Sequence, residues 1–375
     1  MARFIDIWRA VRCEFSTIFH DGGALLLLVI ALPLYTIIYS FAYGSEVVRD
    51  VDIAVVDNDN SSSSRIFVEG LTDGPNTKLR YRAPSLDEAK ALFFAGEVYG
   101  IIDIPHGFEA NLLTGNQANI GLILDGSHLL LYRQVLEQVA SDALQRGAMI
   151  ELLRLTNHGI DKNVALSIIE PVNIKIHHIY NRALGYGTFV MPSVVMVIIQ
   201  QTLVIGLAMI ATRRRHSEKL TLANIIAKIL VYMIIYGVNL TIILCVIWNI
   251  FGFANVGNTT DIVLFMALYL LSTLSLALII SMLFHKRESP LMLLLWCSVP
   301  ILLLAGVSYP REAFPEWLYW IGRVLPSSSG VDGFIAIASR GASLDDIKTE
   351  VTTLLVLSVI YMTLAIIINK KRARE

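Results

Sequence analysis

The chain has 375 residues, of which 55% are hydrophobic and 16% charged, with a formal net charge of −1. That balance is too apolar for an ordinary soluble protein and excludes that class. The apolar residues cluster into runs close to the roughly 20 residues that a membrane helix needs, so the composition reads as a polytopic membrane protein.

Residues 3–20 predict an amphipathic helix. Phe4, Ile7, Trp8, Val11, Phe15, Ile18 and Phe19 recur at helical spacing, with Arg3, Asp6, Arg9 and Arg12 on the other side. Such a helix suits the headgroup region of a membrane, and a cytoplasmic helix packed on a partner is the alternative. Residues 24–43 form the first expected span. The run is longer than a secretory signal's apolar core, and "FAYGSEVV" offers no small-x-small cleavage site, so a retained anchor is expected.

Residues 44–182 alternate between strand-like and helix-like patterns. Strands are expected at 52–57, 77–82, 98–105, 118–125 and 172–181. Helices are expected at 63–71, 85–96, 106–115, 129–156 and 162–169, with Ser85 and Glu88 as a capping box. This alternation predicts a small α/β domain inserted between the first two membrane helices. Its first turn, "DNDNSS" at 57–62, resembles the opening of a calcium loop. Asp57, Asp59 and Ser61 suit the first, third and fifth positions, but Ser62 and Val68 stand where Gly and Glu are required. No metal is expected there. Asp and Ser side chains capping a strand-to-helix turn are the better reading.

Five further spans are expected at 184–211, 225–251, 262–284, 290–307 and 351–368, making six, with Lys228 near the start of the third. Between the last two, Pro310 and Pro315 break the chain, and a short helix carries an aromatic face with Trp317 and Trp320. "SSSGVDGFIAIA" then opens an apolar helix too short to span, and Ser343 with Asp346 resembles a capping box. The segment at about 309–343 is expected to be re-entrant or interfacial, lining protein or a water-filled cavity.

The loops "TRRRHSEKLTL" and "HKRES" and the tail "NKKRARE" are basic, while "GFANVGNTTD" has no Lys or Arg. Basic loops stay inside, which places both termini in the cytoplasm and residues 44–182 outside. The outer segment holds 12 Lys and Arg against 18 Asp and Glu. The three cysteines, Cys13, Cys245 and Cys297, fall outside it and imply no disulfide framework.

No G-x-x-x-x-G-K-[ST], H-E-x-x-H or G-x-S-x-G motif occurs. The serines at 61–64 have no base nearby, and His177 and His178, on an expected strand, would point to opposite faces. Ionisable residues are nearly absent from the spans, which argues against a proton relay or an ion-coupled carrier. Polar residues in the spans include Gln200, Gln201 and Asn239. Met196 and Gln200 share a face of span two with Ser193 and Leu203. Helix–helix contact and a substrate path are both open readings for Met196, Gln200 and Asn239. Energy for transport would have to come from a partner, and the loop at 212–222 is where it could enter.

"LAGVSYPREAFPEWLYWIGRVLPSSSGVDGF" (304–334), "VDIAVVDNDNSSSSRIFVEGL" (51–71), "GIIDIPHGF" (100–108) and "NRALGYGTFVMPSVV" (181–195) resemble segments of one family. It is the permease subunits of ATP-binding-cassette exporters of the type-2 class, multidrug-type members with a large extracytoplasmic domain. The resemblance covers nearly the whole chain. It implies a multi-pass subunit of the bacterial inner membrane with six transmembrane helices and an inserted α/β domain. It also implies a second permease, identical or sister, and ABC ATPase subunits that use ATP-Mg, with no cofactor bound by this chain. A periplasmic adaptor and membrane lipid are further implied partners, and no nucleic acid is expected. Arg213, Arg214, Arg215, Glu218 and Lys219 match the family's coupling element. Export of a drug, lipid or other amphipathic molecule by alternating access would follow. A non-transporting receptor or sensor on the same anchor is the alternative, and a membrane enzyme is a distant third.

Overall fold

The computed structural model describes residues 2–172, 174–177, 180–181, 184–214, 221–284, 286 and 288–372. The chain divides into two compact units, Met1–Glu46 with His178–Glu375, and Val47–His177. At the N-terminus, α1 (Ala2–Phe19) is a single helix. Asp21 then caps α2 (Gly22–Leu25), accepting from the amides of Gly23 and Ala24 at 3.1 Å each. A π turn over Leu26–Ile30 joins α2 to α3 (Ala31–Tyr43), giving one apolar helix over Gly22–Tyr43.

The second unit is built on a four-stranded sheet of order β2-β1-β3-β4. From β1 (Val51–Asp57) the chain runs through α4 (Ser62–Asp73) to β2 (Thr77–Arg82), parallel to β1. Next come α5 (Leu86–Phe94) and β3 (Gly100–Ile104), parallel to β1 on its other side. After α6 (Phe108–Thr114), β4 (Gly121–Leu124) lies antiparallel to β3, and α7 (Leu129–Asn157) and α8 (Lys162–Ile169) follow. A parallel neighbour needs a crossover, which the helices provide. Ile53 and Val55 pack with Phe67, Val68, Leu71 and Val135, while Ala54 and Val56 face Ala89 and Val98. Being buried on both faces explains why β1 carries a continuous apolar run at 53–56 rather than an alternating pattern.

One expected strand is not found among the described residues. Described residues 174–177 form no regular structure, and Ile174 and Ile176 are exposed at 77% and 71%. Their alternating pattern suits a pleated surface, but the described residues offer no neighbouring strand to pair with it. His177 therefore sits on no strand face, and His178 lies outside the described residues. At α5, Ser85 accepts from the Glu88 amide at 3.3 Å. The reciprocal half of that capping box is not formed; it occurs instead at Ser61 and Ser64.

The chain returns to the first unit with α9 (Tyr186–Arg214) and α10 (Leu222–Ile242). A π turn (Ile243–Ile247) carries α10 into α11 (Trp248–Phe251), followed by α12 (Thr259–Leu283). Next are α13 (Ser289–Leu304), a 3-10 turn (Arg311–Ala313), α14 (Glu316–Arg323), α15 (Pro326–Arg340) and α16 (Lys348–Arg372). Five helices among the described residues are long and apolar enough to cross a membrane: Gly22–Tyr43, Tyr186–Thr212, Leu222–Phe251, Thr259–Leu283 and Lys348–Lys371. The fifth expected span, at 290–307, corresponds to the 16-residue α13, which is shorter than those five. At about 1.5 Å per residue it covers about 24 Å, short of a hydrocarbon core of about 30 Å. Gly306, at φ +80°, and Pro310 stop it.

Span two, α9, is the axis of this unit. It is buried along most of its length and packs on α3, α12, α13 and α15. Small residues allow the close approaches. A Cβ on Gly206 would overlap the Leu28 side chain, and Cβ atoms on Gly330 and Gly333 would overlap the rings of Tyr269 and Phe265.

Candidate functional site: the polar seam of the membrane unit

With no water in a hydrocarbon core, each polar group on these helices needs a protein partner or a wet cavity. Following those groups outlines the seam. Gln200, on α9, accepts at Oε1 from the Ser327 amide at 2.8 Å, meeting the buried N-terminus of α15. One turn away, the Met196 carbonyl accepts from the Tyr269 hydroxyl at 2.6 Å. Thr202 and Tyr236 share a hydrogen bond of 2.8 Å. Asn239 lies elsewhere, donating from Nδ2 to the Leu28 carbonyl, which sits in the first π turn. Met196 and Gln200 are thus brought together against α15, while Asn239 joins α10 to the first crossing helix. All three are buried and make contacts between helices.

Other atoms of the seam are left over. The side-chain amide of Gln201 and the hydroxyls of Ser327 and Ser329 are buried without a hydrogen-bond partner among the described residues. Buried polar atoms in native proteins are nearly always paired. At the start of α15, the Ser327 and Ser329 hydroxyls are therefore buried donors and acceptors left without a protein partner among the described residues. Chemistry there is limited to hydrogen bonding.

At the far end of α9, Glu46 is a staple. Its carboxylate accepts from the Thr188 hydroxyl at 2.6 Å and the Thr188 amide at 3.0 Å, and its carbonyl accepts from the Tyr186 amide at 2.7 Å. A carboxylate suits the partly positive N-terminus of a helix, and this one ties the end of α3 to the start of α9. Gly185 permits it, since a Cβ there would run into the Glu46 carboxylate.

Sequence reasoning did not find the pair Glu14–Lys228. Lys228 Nζ donates to both carboxylate oxygens of Glu14, at 2.8 and 2.9 Å, and the Tyr232 hydroxyl donates to Glu14 at 3.3 Å. Their side chains are 2% and 4% exposed, so the pair is buried between α1 and α10. Glu14 stands on the same helical face as Val11 and Ile18, which are also buried. A charge on the apolar stripe of α1 and a lysine inside a span were the available signals, 214 positions apart.

Of the residues expected to couple to an ATPase, Arg213 and Arg214 end α9, and Arg215, Glu218 and Lys219 lie outside the described residues.

In the α/β unit, the turn after β1 is a capping centre. Asp57 accepts from the amides of Asp59 and Asn60 and from the Ser64 hydroxyl. Asp59 accepts from the amides of Gly107, Phe108 and Glu109 at 2.7, 3.1 and 3.0 Å, closing the N-terminus of α6. Glu109 in turn accepts from the amide and hydroxyl of Ser63, closing α4. The two helices cap each other. The Ser61 hydroxyl, then the Glu109, Gly107 and Phe108 amides, hold the Asp59 carboxyl below its ordinary range.

Residues 24–367 match the family described as ABC-2 family transporter protein. The chain is 25% identical to the probable multidrug ABC transporter permease YbhR of Escherichia coli, with 95% of each chain covered. It is 23% identical to the inner membrane transport permease YhhJ of Escherichia coli, over 85% of each chain. It is also similar to ABC transporter G family member 23 of Dictyostelium discoideum, at 21% identity over 85% of this chain and 45% of that one. These relatives favour transport over a receptor role. The apolar helices, the seam joining them and the family match converge: the chain belongs to the ABC-2 family of transporter proteins and is a multi-pass transport permease.

Proposed function

We propose that this chain is the membrane subunit of an ATP-driven exporter in a bacterial inner membrane, moving drug-like, lipid or other amphipathic molecules out of the cytoplasm or the inner leaflet. The family match over residues 24–367 carries this reading. The names of the Escherichia coli relatives, a multidrug permease and an inner membrane permease, support the substrate class and the location. In this reading α13 crosses as a sixth helix, α14 and α15 form a re-entrant outer segment, and Val47–His177 lies on the extracytoplasmic side. Both termini lie in the cytoplasm, as the basic inner loops favour.

A second permease completes the pathway, and ABC ATPase subunits supply the drive with ATP-Mg, so this chain does no hydrolysis of its own. Arg213, Arg214, Arg215, Glu218 and Lys219 receive the ATPase stroke. Met196, Gln200 and Asn239 respond to it, since each joins two helices that must shift during alternating access. A periplasmic adaptor and membrane lipid are further partners. The test is export from cells carrying the Arg213→Glu, Arg214→Glu and Arg215→Glu triple variant, together with co-purification of the ATPase. Loss of both export and co-purification, with unchanged membrane insertion, is expected. Normal export by the triple variant overturns the coupling role.

A further inference from the structure

The α/β unit holds a cavity of about 460 Å³ between α4, α6 and α7. Ligand pockets run from about 300 to about 1,000 Å³ and are mostly apolar with a few placed polar groups. Phe67, Phe108, Leu112, Ile120 and Ile150 line this one, and Ser63 and Arg146 add polar atoms. Ile66 and Met149, which also line it, stay 54% and 56% exposed, so the apolar wall continues to the surface.

Two features separate it from a packing fault. The first is Gly147, inside the 29-residue α7. A glycine within a helix is less favourable than alanine. Backbone conformation does not require this one, because its φ is not positive. No neighbour requires it either: a Cβ there would meet nothing within 4 Å. Gly70, on α4, is the contrast, since a Cβ there would strike the Arg146 guanidinium. Gly147 lines the cavity and puts no side chain there.

The second feature is Arg146. Its Nε donates to Asp142 at 2.7 Å, and bare Gly70 leaves room for the guanidinium. Its Nη groups make no hydrogen bond to the described residues and remain as placed donors. Asp142 balances the charge, and Glu109, which accepts from Ser63, adds a second carboxylate nearby. That setting disfavours an anion and favours a neutral acceptor.

We propose that this cavity binds a neutral, largely apolar organic molecule of drug size that offers one hydrogen-bond acceptor to Arg146. The site rests on the α/β unit alone and goes beyond the transport reading. Benzophenone, which is neutral, apolar, photoreactive and has one carbonyl, is a direct probe on the full chain in lipid nanodiscs. Saturable labelling of the peptide holding Met149 and Ile150 is expected. Gly147→Leu fills the space and is expected to lower that labelling about tenfold or more, with an unchanged or higher unfolding midpoint. Arg146→Met, losing a charged donor, is expected to lower it about tenfold. Anionic 4-benzoylbenzoate is expected to label more weakly than benzophenone. Absent or unsaturable labelling of the folded wild-type chain, or equal labelling in Gly147→Leu, overturns the site, and preference for the anion overturns the ligand class. Export activity is read separately, so either reading can fail alone.

Discussion

In the α/β unit, polar side chains close helix ends: Asp59 takes three amides at the start of α6, and Glu109 takes the Ser63 amide and hydroxyl at the start of α4. In the membrane unit, several of them instead join one helix to another. Gln200 meets the amide of Ser327, Asn239 meets the carbonyl of Leu28, and Lys228 meets Glu14. The difference follows from solvent. A cap at a wet surface competes with water and is worth about 1 kcal/mol, whereas an unpaired group on a membrane helix has no water to fall back on. A cap stabilises its own element; a cross-helix bond decides which helices stay adjacent. That is the property a transporter must control when it changes state.

The pair Glu14–Lys228 tests the contrast most severely. Glu14→Ala removes a buried carboxylate that accepts from Lys228 and Tyr232 and is expected to destabilise the membrane unit by about 3–5 kcal/mol. Replacing both, as Glu14→Leu with Lys228→Met, is expected to recover most of that loss, because the buried lysine is then removed together with its carboxylate. Thermal unfolding in nanodiscs reads both variants. If the double variant is no better than the single, the pair is not an isolated electrostatic unit.

A smaller effect is expected at the caps. Asp59→Ala should cost the α/β unit about 1–2 kcal/mol, seen as faster proteolysis near α6. The dependence on pH has a definite sign. The folded Asp59 carboxyl titrates below its ordinary value of 3.8, so its contribution is complete above that value. It fades as pH falls through the lower, folded value. Asp59→Asn should lose stability at neutral pH and flatten that acid limb, which hydrogen exchange across pH can follow.

The smallest effect belongs to the seam itself. Gln200→Leu removes one interhelical bond and is expected to cost about 0.6 kcal/mol, the typical value inside membranes. Its export defect is expected to exceed what so small a loss of stability explains. Normal export by Gln200→Leu would reduce Gln200 to a packing role.

Much of the architecture was legible locally. Apolar length marks the crossing helices, and β-branched runs between caps mark β1 and β3. The Ser61 turn also follows from nearby residues, since its Ser64 partner is three positions away. The pattern at 172–181 misled because alternation describes a surface that fits a sheet and says nothing of whether the segment reaches one of the open edges at β2 or β4. The fifth span was overestimated because hydropathy continues to Val307 while the helix stops at Leu304. Gln200 and Asn239 were visible as polar residues in apolar runs, but their partners were not.

By itself, then, the sequence determined the elements, their hydropathy and several of their caps, because each depends on residues within a turn or two. Tertiary structure alone decided that Glu14 neutralises Lys228, that Asp59 and Glu109 cap each other's helices, and that Gly147 opens onto space. Each of those facts depends on where distant segments meet. That is set by the packing of whole faces, and no local window of residues records it.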